Sequence, residues 1–263
     1  MFEYDSRKLL IYFAVKYDGD PMKILAAMQL REEIDASMKE VNKVCDSLKC
    51  KVMTYLDQDF PLTLKTMTRP PLVLFYYGDI SLLYEDKRRY GVVGSRDYNE
   101  YGKETTETIV KEMARGNVLV SGLARGIDTI GHTAAIENHG RTIAVLGSGI
   151  DNCYPPENQE LYEKIKKDHL VISEYPNMSE PSKEHFPMRN RLIVVLSQVL
   201  IVPQINSHVS GTIISINIAQ DKNIPIYVVP HPISDNTVNN DLIQEGAEVA
   251  QSGRQILEDL KWD

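Results

Sequence analysis

From Tyr90 to Val229 the chain alternates between short apolar runs and longer stretches of helical periodicity, and this rhythm limits the fold more than any other feature. The apolar runs are Tyr90–Val93, Val118–Val120, Thr142–Leu146, Leu170–Ile172, Leu200–Val202 and Ile226–Val229. Between them the helical stretches are Asn99–Arg115, Asp128–Asn138, Pro156–Lys167, Arg189–Ser197 and Ser210–Asp221. Near-continuous apolar strands joined by helices indicate a parallel sheet covered on both faces. Right-handed crossovers bring every strand-to-helix loop to one edge of such a sheet. Ligands bind at that carboxyl edge, where the strand order switches. The expected class is therefore α/β, a doubly wound and mostly parallel sheet.

The residues before Tyr90 have a different texture. Leu9, Leu10, Phe13 and Ala14 fall at helical spacing, as do Ile24, Leu25 and Met28. Asp20-Pro21 reads as a cap followed by proline at the first helical position, and a third helix is expected over Glu33 to Leu48. We divide the chain into a small helical N-terminal domain, residues 1–50, and a sheet domain, residues 51–263. Lys51 to Leu56 and Leu72 to Tyr77 read as two further strands that add an edge to the sheet.

Composition narrows the function. The 263 residues carry a formal net charge of -8, which argues against broad non-specific binding of duplex DNA but leaves room for a local basic cleft. Cys45, Cys50 and Cys153 are odd in number and irregular in spacing, so neither a disulfide framework nor a metal site is expected. No apolar run approaches the roughly 18 residues of a membrane span, and the N-terminus lacks a signal-peptide pattern. A cytoplasmic protein without membrane contact is the expectation.

The loops at the carboxyl edge carry the chemistry. Gly94-Ser95-Arg96 lets backbone, hydroxyl and guanidinium approach an anion, or it is a tight turn with Arg96 in a surface ion pair. Ser121-Gly122-Leu123-Ala124-Arg125-Gly126 repeats the pattern ahead of a helix, with Asp128 as its expected N-cap. His132 lies on the same helix face as Asp128; the two are an acid–base pair or a cap and a histidine that order the loop. Gly147-Ser148-Gly149 keeps the crevice open. The long stretch from Ser173 to Arg191 brings Lys183, Phe186, Arg189 and Arg191 together, cations beside an aromatic as single-stranded nucleic acid requires. Alternatively Phe186 plugs the core while Arg189 and Arg191 pair with Glu174 and Glu184. Ser210-Gly211-Thr212 is a helix start that holds an anion or merely caps. The first loop lacks the third glycine, and the next strand lacks the ribose-binding acid, of a dinucleotide site. No nucleotide P-loop, serine-hydrolase elbow, metal cluster or Cys–His dyad is present. Phosphate donors without nucleophiles favour binding over catalysis.

These motifs, in their order, resemble the bacterial DNA-processing protein A family (DprA, also called Smf). The resemblance runs from about Lys51 to Ala247, roughly three quarters of the chain. It rests on Asp57 to Leu64, Pro70-Pro71 with Leu74-Phe75, V-G-S-R at Val93 to Arg96, and Tyr101-Gly102. It continues through S-G-x-A-x-G-I-D at Ser121 to Asp128 with His132, T-I-A-V-L-G-x-G-x-D-x-x-Y-P at Thr142 to Pro155, and Asn158. Ile172-Ser173-Glu174, F-P-x-R-N-R at Phe186 to Arg191, and Ser210-Gly211 complete it. The resemblance implies an extended Rossmann-like fold that binds single-stranded DNA in a positive pocket. It implies a homodimer that interacts with the RecA recombinase and helps load it on incoming DNA during natural transformation, with no cofactor and no enzymatic activity. Carried over by motif, the DNA-contacting residues are Gly94, Ser95, Arg96, Ser121, Gly122, Arg125, Gly126, Lys183, Phe186, Arg189 and Asn190. Asp128, His132, Arg191, Ser210 and Gly211 order the loops.

The chain departs from the family pattern at Pro203-Gln204, at Pro230-His231 and at Val238-Asn239-Asn240, near where family members dimerise and contact the recombinase. Two rival functions differ in class. One is an enzyme that releases base from nucleoside monophosphates, with Glu174 or Asp128 as its acid; the other is a nucleotide sensor that signals through the N-terminal helices.

Overall fold

The computed structural model describes residues 5–29, 38–84 and 86–262. Three helices come first, α1 (Ser6–Lys16), α2 (Pro21–Gln29) and α3 (Met38–Ser47). Then follow β1 (Lys51–Thr54), α4 (Leu62–Lys65) and β2 (Val73–Gly78). The alternating part is β3 (Arg89–Val92), α5 (Glu100–Met113), β4 (Val118–Ser121), α6 (Ile127–Glu137), β5 (Arg141–Leu146), α7 (Gln159–Asp168), β6 (Leu170–Ser173), α8 (His185–Leu196), β7 (Val199–Val202), α9 (Gly211–Asp221) and β8 (Ile226–Val228). The chain closes with α10 (Asn239–Gln244), β9 (Glu248–Val249) and α11 (Gly253–Leu260).

All nine strands form one sheet in the order β1-β2-β6-β5-β4-β3-β7-β8-β9. From β6 to β9 every pairing is parallel, while β1 and β2 run antiparallel at the β6 side. The two early strands thus extend the sheet edge, as their sequence suggested. The order reverses at β3, whose neighbours are β4 on one side and β7 on the other. That is the switch point of a doubly wound, Rossmann-like sheet, and the Gly94-Ser95-Arg96 loop leaves the sheet there.

Side-chain alternation along each strand supplies two apolar faces. Val118 and Val120 of β4 meet Leu192, Ile193 and Leu196 of α8 and Ile216 of α9 on one face. Leu119 between them points to the other face, among Ile109, Val110 and Met113 of α5, Ala134 of α6 and Ile256 of α11. Farther along that second face, α1 and α2 place Leu10, Phe13, Ala14 and Ile24 in one cluster with Phe75, Leu146, Val171 and Tyr162. The N-terminal helices therefore share apolar core with the sheet. A fully buried side chain of this kind contributes about 1.5–3 kcal/mol.

The departures from expectation have local causes. The helix expected over Glu33 to Leu48 is seen as α3; its first residues, 33 to 37, lie outside the described residues. Helix α8 starts at His185, four residues before the expected Arg189. Pro187 sits in its first turn, where a missing N–H costs nothing, so the Phe-Pro pair starts this helix instead of delaying it. Asp128 is not the cap of α6. Gly126 takes that position with φ +85°, and Asp128 falls inside the first turn. Short C-terminal elements α10, β9 and α11 lack the apolar runs that marked the central strands.

Candidate nucleic-acid interface

Three loops, those after β3, β4 and β5, and the start of α8 converge at the carboxyl edge beside the switch point. They enclose a cavity of about 220 Å3 lined by Arg96, Gly122, Ala124, Arg125, Gly147, Tyr154, Pro155, Pro156, Glu157, Phe186 and Arg189. The early start of α8 matters here. It fixes Phe186 and Arg189 three residues apart on one helix face, pointing at the loops after β3, β4 and β5.

Phe186 is the centre of the arrangement. The Arg96 guanidinium lies 5.6 Å from its ring centroid and that of Arg189 6.0 Å, both at cation–π distance. Tyr154 sits 5.9 Å away, centroid to centroid, tilted by 38°. Phe186 is half-buried rather than a core plug, and Arg96 is exposed. Among the described residues Arg96 has no ion pair, so its charge faces outward over an aromatic wall. Arg125 is also exposed; among the described residues its one ion pair, to Asp97, is 3.9 Å long with side chains 61% and 92% accessible. A contact of that kind is worth little and leaves the guanidinium available to an anion.

Arg189 differs from these two. It is 6% accessible and forms the cavity floor. Nη1 donates to the Gly122 carbonyl and to Val145 O at 2.7 Å, and Nε donates to Asn190 Oδ1 at 3.0 Å. Those bonds do not use Nη2. Burial lowers the Arg189 pKa while the Asp128 carboxylate raises it; an arginine in such surroundings stays charged. Gly122 is glycine because the Arg189 guanidinium occupies the space a Cβ would need.

Asp128 holds the second loop from below. Its Oδ2 accepts the backbone N–H groups of Gly122 at 3.1 Å and Ala124 at 3.3 Å. Burial pushes its carboxyl up, opposed by Arg189 and by these N–H groups. His132 does not pair with it. The fully buried imidazole meets Thr142 Oγ1 at 2.7 Å through Nδ1, and burial drives its pKa down to about 3. Of the two readings of Asp128 and His132, these contacts fit loop ordering. Gly126 packs its left-handed backbone against the Ser95 and Arg96 carbonyls, where any Cβ collides, so the second loop braces the first.

The other expected site residues split into support and surface. Ser121, expected as a ligand contact, is fully buried and donates its hydroxyl to Val92 O at 2.7 Å. Asn190, also expected as a contact, is buried and ties α8 to α9 by donating to Gly211 O at 3.0 Å. Both lie behind the cavity because their side chains satisfy backbone groups there. Gly94 accepts the Thr212 hydroxyl at 3.1 Å, and Ser95 Oγ accepts Asn206 N–H at 2.9 Å. Lys183 is exposed on the approach to α8 and does not line the cavity. Arg191 pairs with Glu174 at 2.5 Å, each side chain 11% accessible, as one sequence reading held; Arg189 does not pair with Glu184. Ser210 precedes α9 without a capping bond from its side chain, so the capping reading fails for its hydroxyl. Sequence reasoning missed Tyr154 as a wall of the cavity. Its signal was an aromatic placed directly between a glycine loop and two prolines.

Comparisons with known proteins show the family. Residues 51–261 match the model of the family described as DNA recombination-mediator protein A. The chain belongs to this family. It is 36% identical over 242 residues to DNA processing protein DprA of Bacillus subtilis, covering 90% of this chain and 81% of the relative. It is 39% identical over 209 residues to DprA of Streptococcus pneumoniae, covering 79% and 73%. Among solved structures, DprA from Streptococcus pneumoniae superposes with a TM-score of 0.81 at 33% identity, over 95% of this chain and 92% of that one. DprA from Helicobacter pylori, described for its single-stranded DNA binding mode, superposes with a TM-score of 0.74 at 29% identity, over 82% and 98%. No described helix is long and apolar enough to cross a membrane.

Proposed function

We propose that this protein binds single-stranded DNA along the carboxyl edge of its sheet and acts as a recombination mediator. The observation that carries the proposal is the grouping of Arg96 and Arg125, both exposed, with Phe186 and Tyr154 around one cavity over a buried Arg189. Guanidinium groups bind phosphates bidentately and aromatic faces stack bases. A duplex keeps its bases stacked inside and offers Phe186 nothing, so the aromatic wall favours single strands. Arg96, Arg125 and Lys183 hold phosphates from the rim, while Arg189 sets the positive potential of the floor.

The kinship with DprA proteins extends the proposal: a homodimer in the cytoplasm that protects incoming DNA and helps load the RecA recombinase during natural transformation. We place a domain boundary near residue 50, where the family match begins, and assign the N-terminal helices to protein contact. The enzyme reading needs an acid over a sugar. Glu174 is instead buried against Arg191, and Asp128 is buried beneath two backbone N–H groups, which favours binding over hydrolysis.

The test is fluorescence anisotropy with labelled oligo-dT, with and without unlabelled duplex, followed by RecA filament assembly on the same strand. We expect saturable oligo-dT binding that duplex competes for weakly, and faster filament growth when the protein is present. Free base released from nucleoside monophosphates, with no oligo-dT affinity, would establish the enzyme instead.

A further inference from the structure

Beside the Arg96 loop, the loops after β7 and β8 meet, and five residues close a ring of hydrogen bonds. Asn99 donates its backbone N–H to Gln204 Oε1 at 3.1 Å and its side-chain Nδ2 to Asp235 Oδ2 at 2.9 Å. The same Asp235 oxygen faces His231 Nδ1 at 3.0 Å. His231 Nε2 faces Pro203 O at 3.0 Å, and Pro203 is bonded to Gln204. Pro203-Gln204 and Pro230-His231, far apart in the chain, thus come together in space.

The ring grips the backbone on both sides of Arg96. Gln204 O accepts the Ser95 N–H at 2.9 Å. Gln204 Nε2 donates to Asn206 Oδ1 at 2.8 Å, and Asn206 in turn donates to Ser95 Oγ at 2.9 Å and to Asp97 O at 2.7 Å. No member of the ring lines the cavity. Its side chains are nonetheless well held: the His231 side chain is 0% accessible and that of Asp235 19%.

Both imidazole nitrogens of His231 face acceptors, so the two bonds coexist only when each nitrogen carries a hydrogen; a neutral ring donates one of them. Asp235, on the same loop, is the charged group against it. Tyr101 of α5 packs edge-on with its ring centroid 5.0 Å away, and α10 contributes Asn240, whose uncharged amide bonds the His231 backbone. The histidine and Asn99 also hold the Asp235 carboxyl below its usual range, chiefly through the His231 bond and then the Asn99 bond.

We propose that His231 and Asp235 are positioning residues: they set the affinity of the strand-edge cavity for single-stranded DNA by fixing the backbone that carries Arg96, without touching the DNA. This rests on the DNA-binding reading above. The experiment is a double-mutant cycle on labelled oligo-dT, comparing wild type, Asp235→Ala, His231→Gln, Arg96→Ala and the doubles with Arg96→Ala, each checked for fold by circular dichroism. Asp235, partly exposed, is the variant expected to fold should the histidine variant fail to do so.

Each single ring variant is expected to weaken binding about 3- to 10-fold, and to add almost nothing once Arg96 is gone, because coupled residues are not additive. Equal effects of Asp235→Ala with and without Arg96, or no effect on wild-type binding, overturn the proposal alone. A wild type with no affinity for oligo-dT overturns the DNA-binding reading, and this proposal with it.

Discussion

Replacing Arg189 by alanine separates the floor of the cavity from its rim. The guanidinium is 6% accessible and bonds the Gly122 carbonyl, Val145 O and Asn190 Oδ1. Removing it strips two buried carbonyls of a charged donor and leaves the Asp128 carboxylate without its opposing charge. Loss of one partner from a buried charge interaction costs about 3–5 kcal/mol. For a chain of this size that is a fall in Tm of about 6–20 °C, at roughly 2–4 °C per kcal/mol. The penalty also depends on pH. Burial already places the folded-state pKa of Asp128 above its unfolded value. A raised carboxyl pKa means stability present at low pH and lost as pH rises through the folded value. Without Arg189 that pKa rises further, so the destabilisation is largest near neutrality and shrinks as the medium is acidified through the carboxylate range. Differential scanning calorimetry of Arg189→Ala beside wild type, across an acidic-to-neutral series, reads both quantities. A variant that melts within a degree or two of wild type at neutral pH refutes the assignment of Arg189 as a buried brace.

Arg96→Ala, on the exposed rim, leaves Tm unchanged within about 0.5 kcal/mol of stability. It lowers the salt slope of oligo-dT binding by about 0.7, so its affinity deficit shrinks roughly 2.5-fold between about 50 and 200 mM salt; salt-dependent anisotropy checks this. Phe186→Ala costs about 1–3 kcal/mol of stacking, near 5- to 150-fold in Kd, with the salt slope retained, as the same titrations would register. Gly126→Ala forces a Cβ onto the Ser95 and Arg96 carbonyls at φ +85°; both melting temperature and oligo-dT affinity fall, read by thermal melts and anisotropy.

Much of the fold was legible in the sequence because a parallel sheet writes itself as unbroken apolar runs. Val118-Leu119-Val120 and Leu200-Ile201-Val202 are apolar at every position since both faces are covered. What escaped the reading depended on contacts distant in sequence. Nothing local tells that Pro187 opens a helix, that Gly126 rather than Asp128 caps α6, or that Ser121 points inward to Val92 O. The site residues divide in the same way. Arg96, Arg125 and Phe186 announce themselves by residue type beside glycines. Asn190 and Arg189 carry the same signal of charge or amide, yet their roles are set by carbonyls on other elements. Tyr154 joins the wall through the fold of the loop after β5, whose aromatic content was visible and whose direction was not.

The measurement closest to the central claim is equilibrium binding of the wild-type protein to oligo-dT and to a duplex of equal length over a salt series. Two to three phosphates held by Arg96, Arg125 and Lys183 predict a slope of log affinity against log salt of about -1.4 to -2.1 for the single strand, with tighter binding to it than to duplex at every salt. Equal or tighter duplex binding, or a single-strand affinity indifferent to salt, contradicts the account.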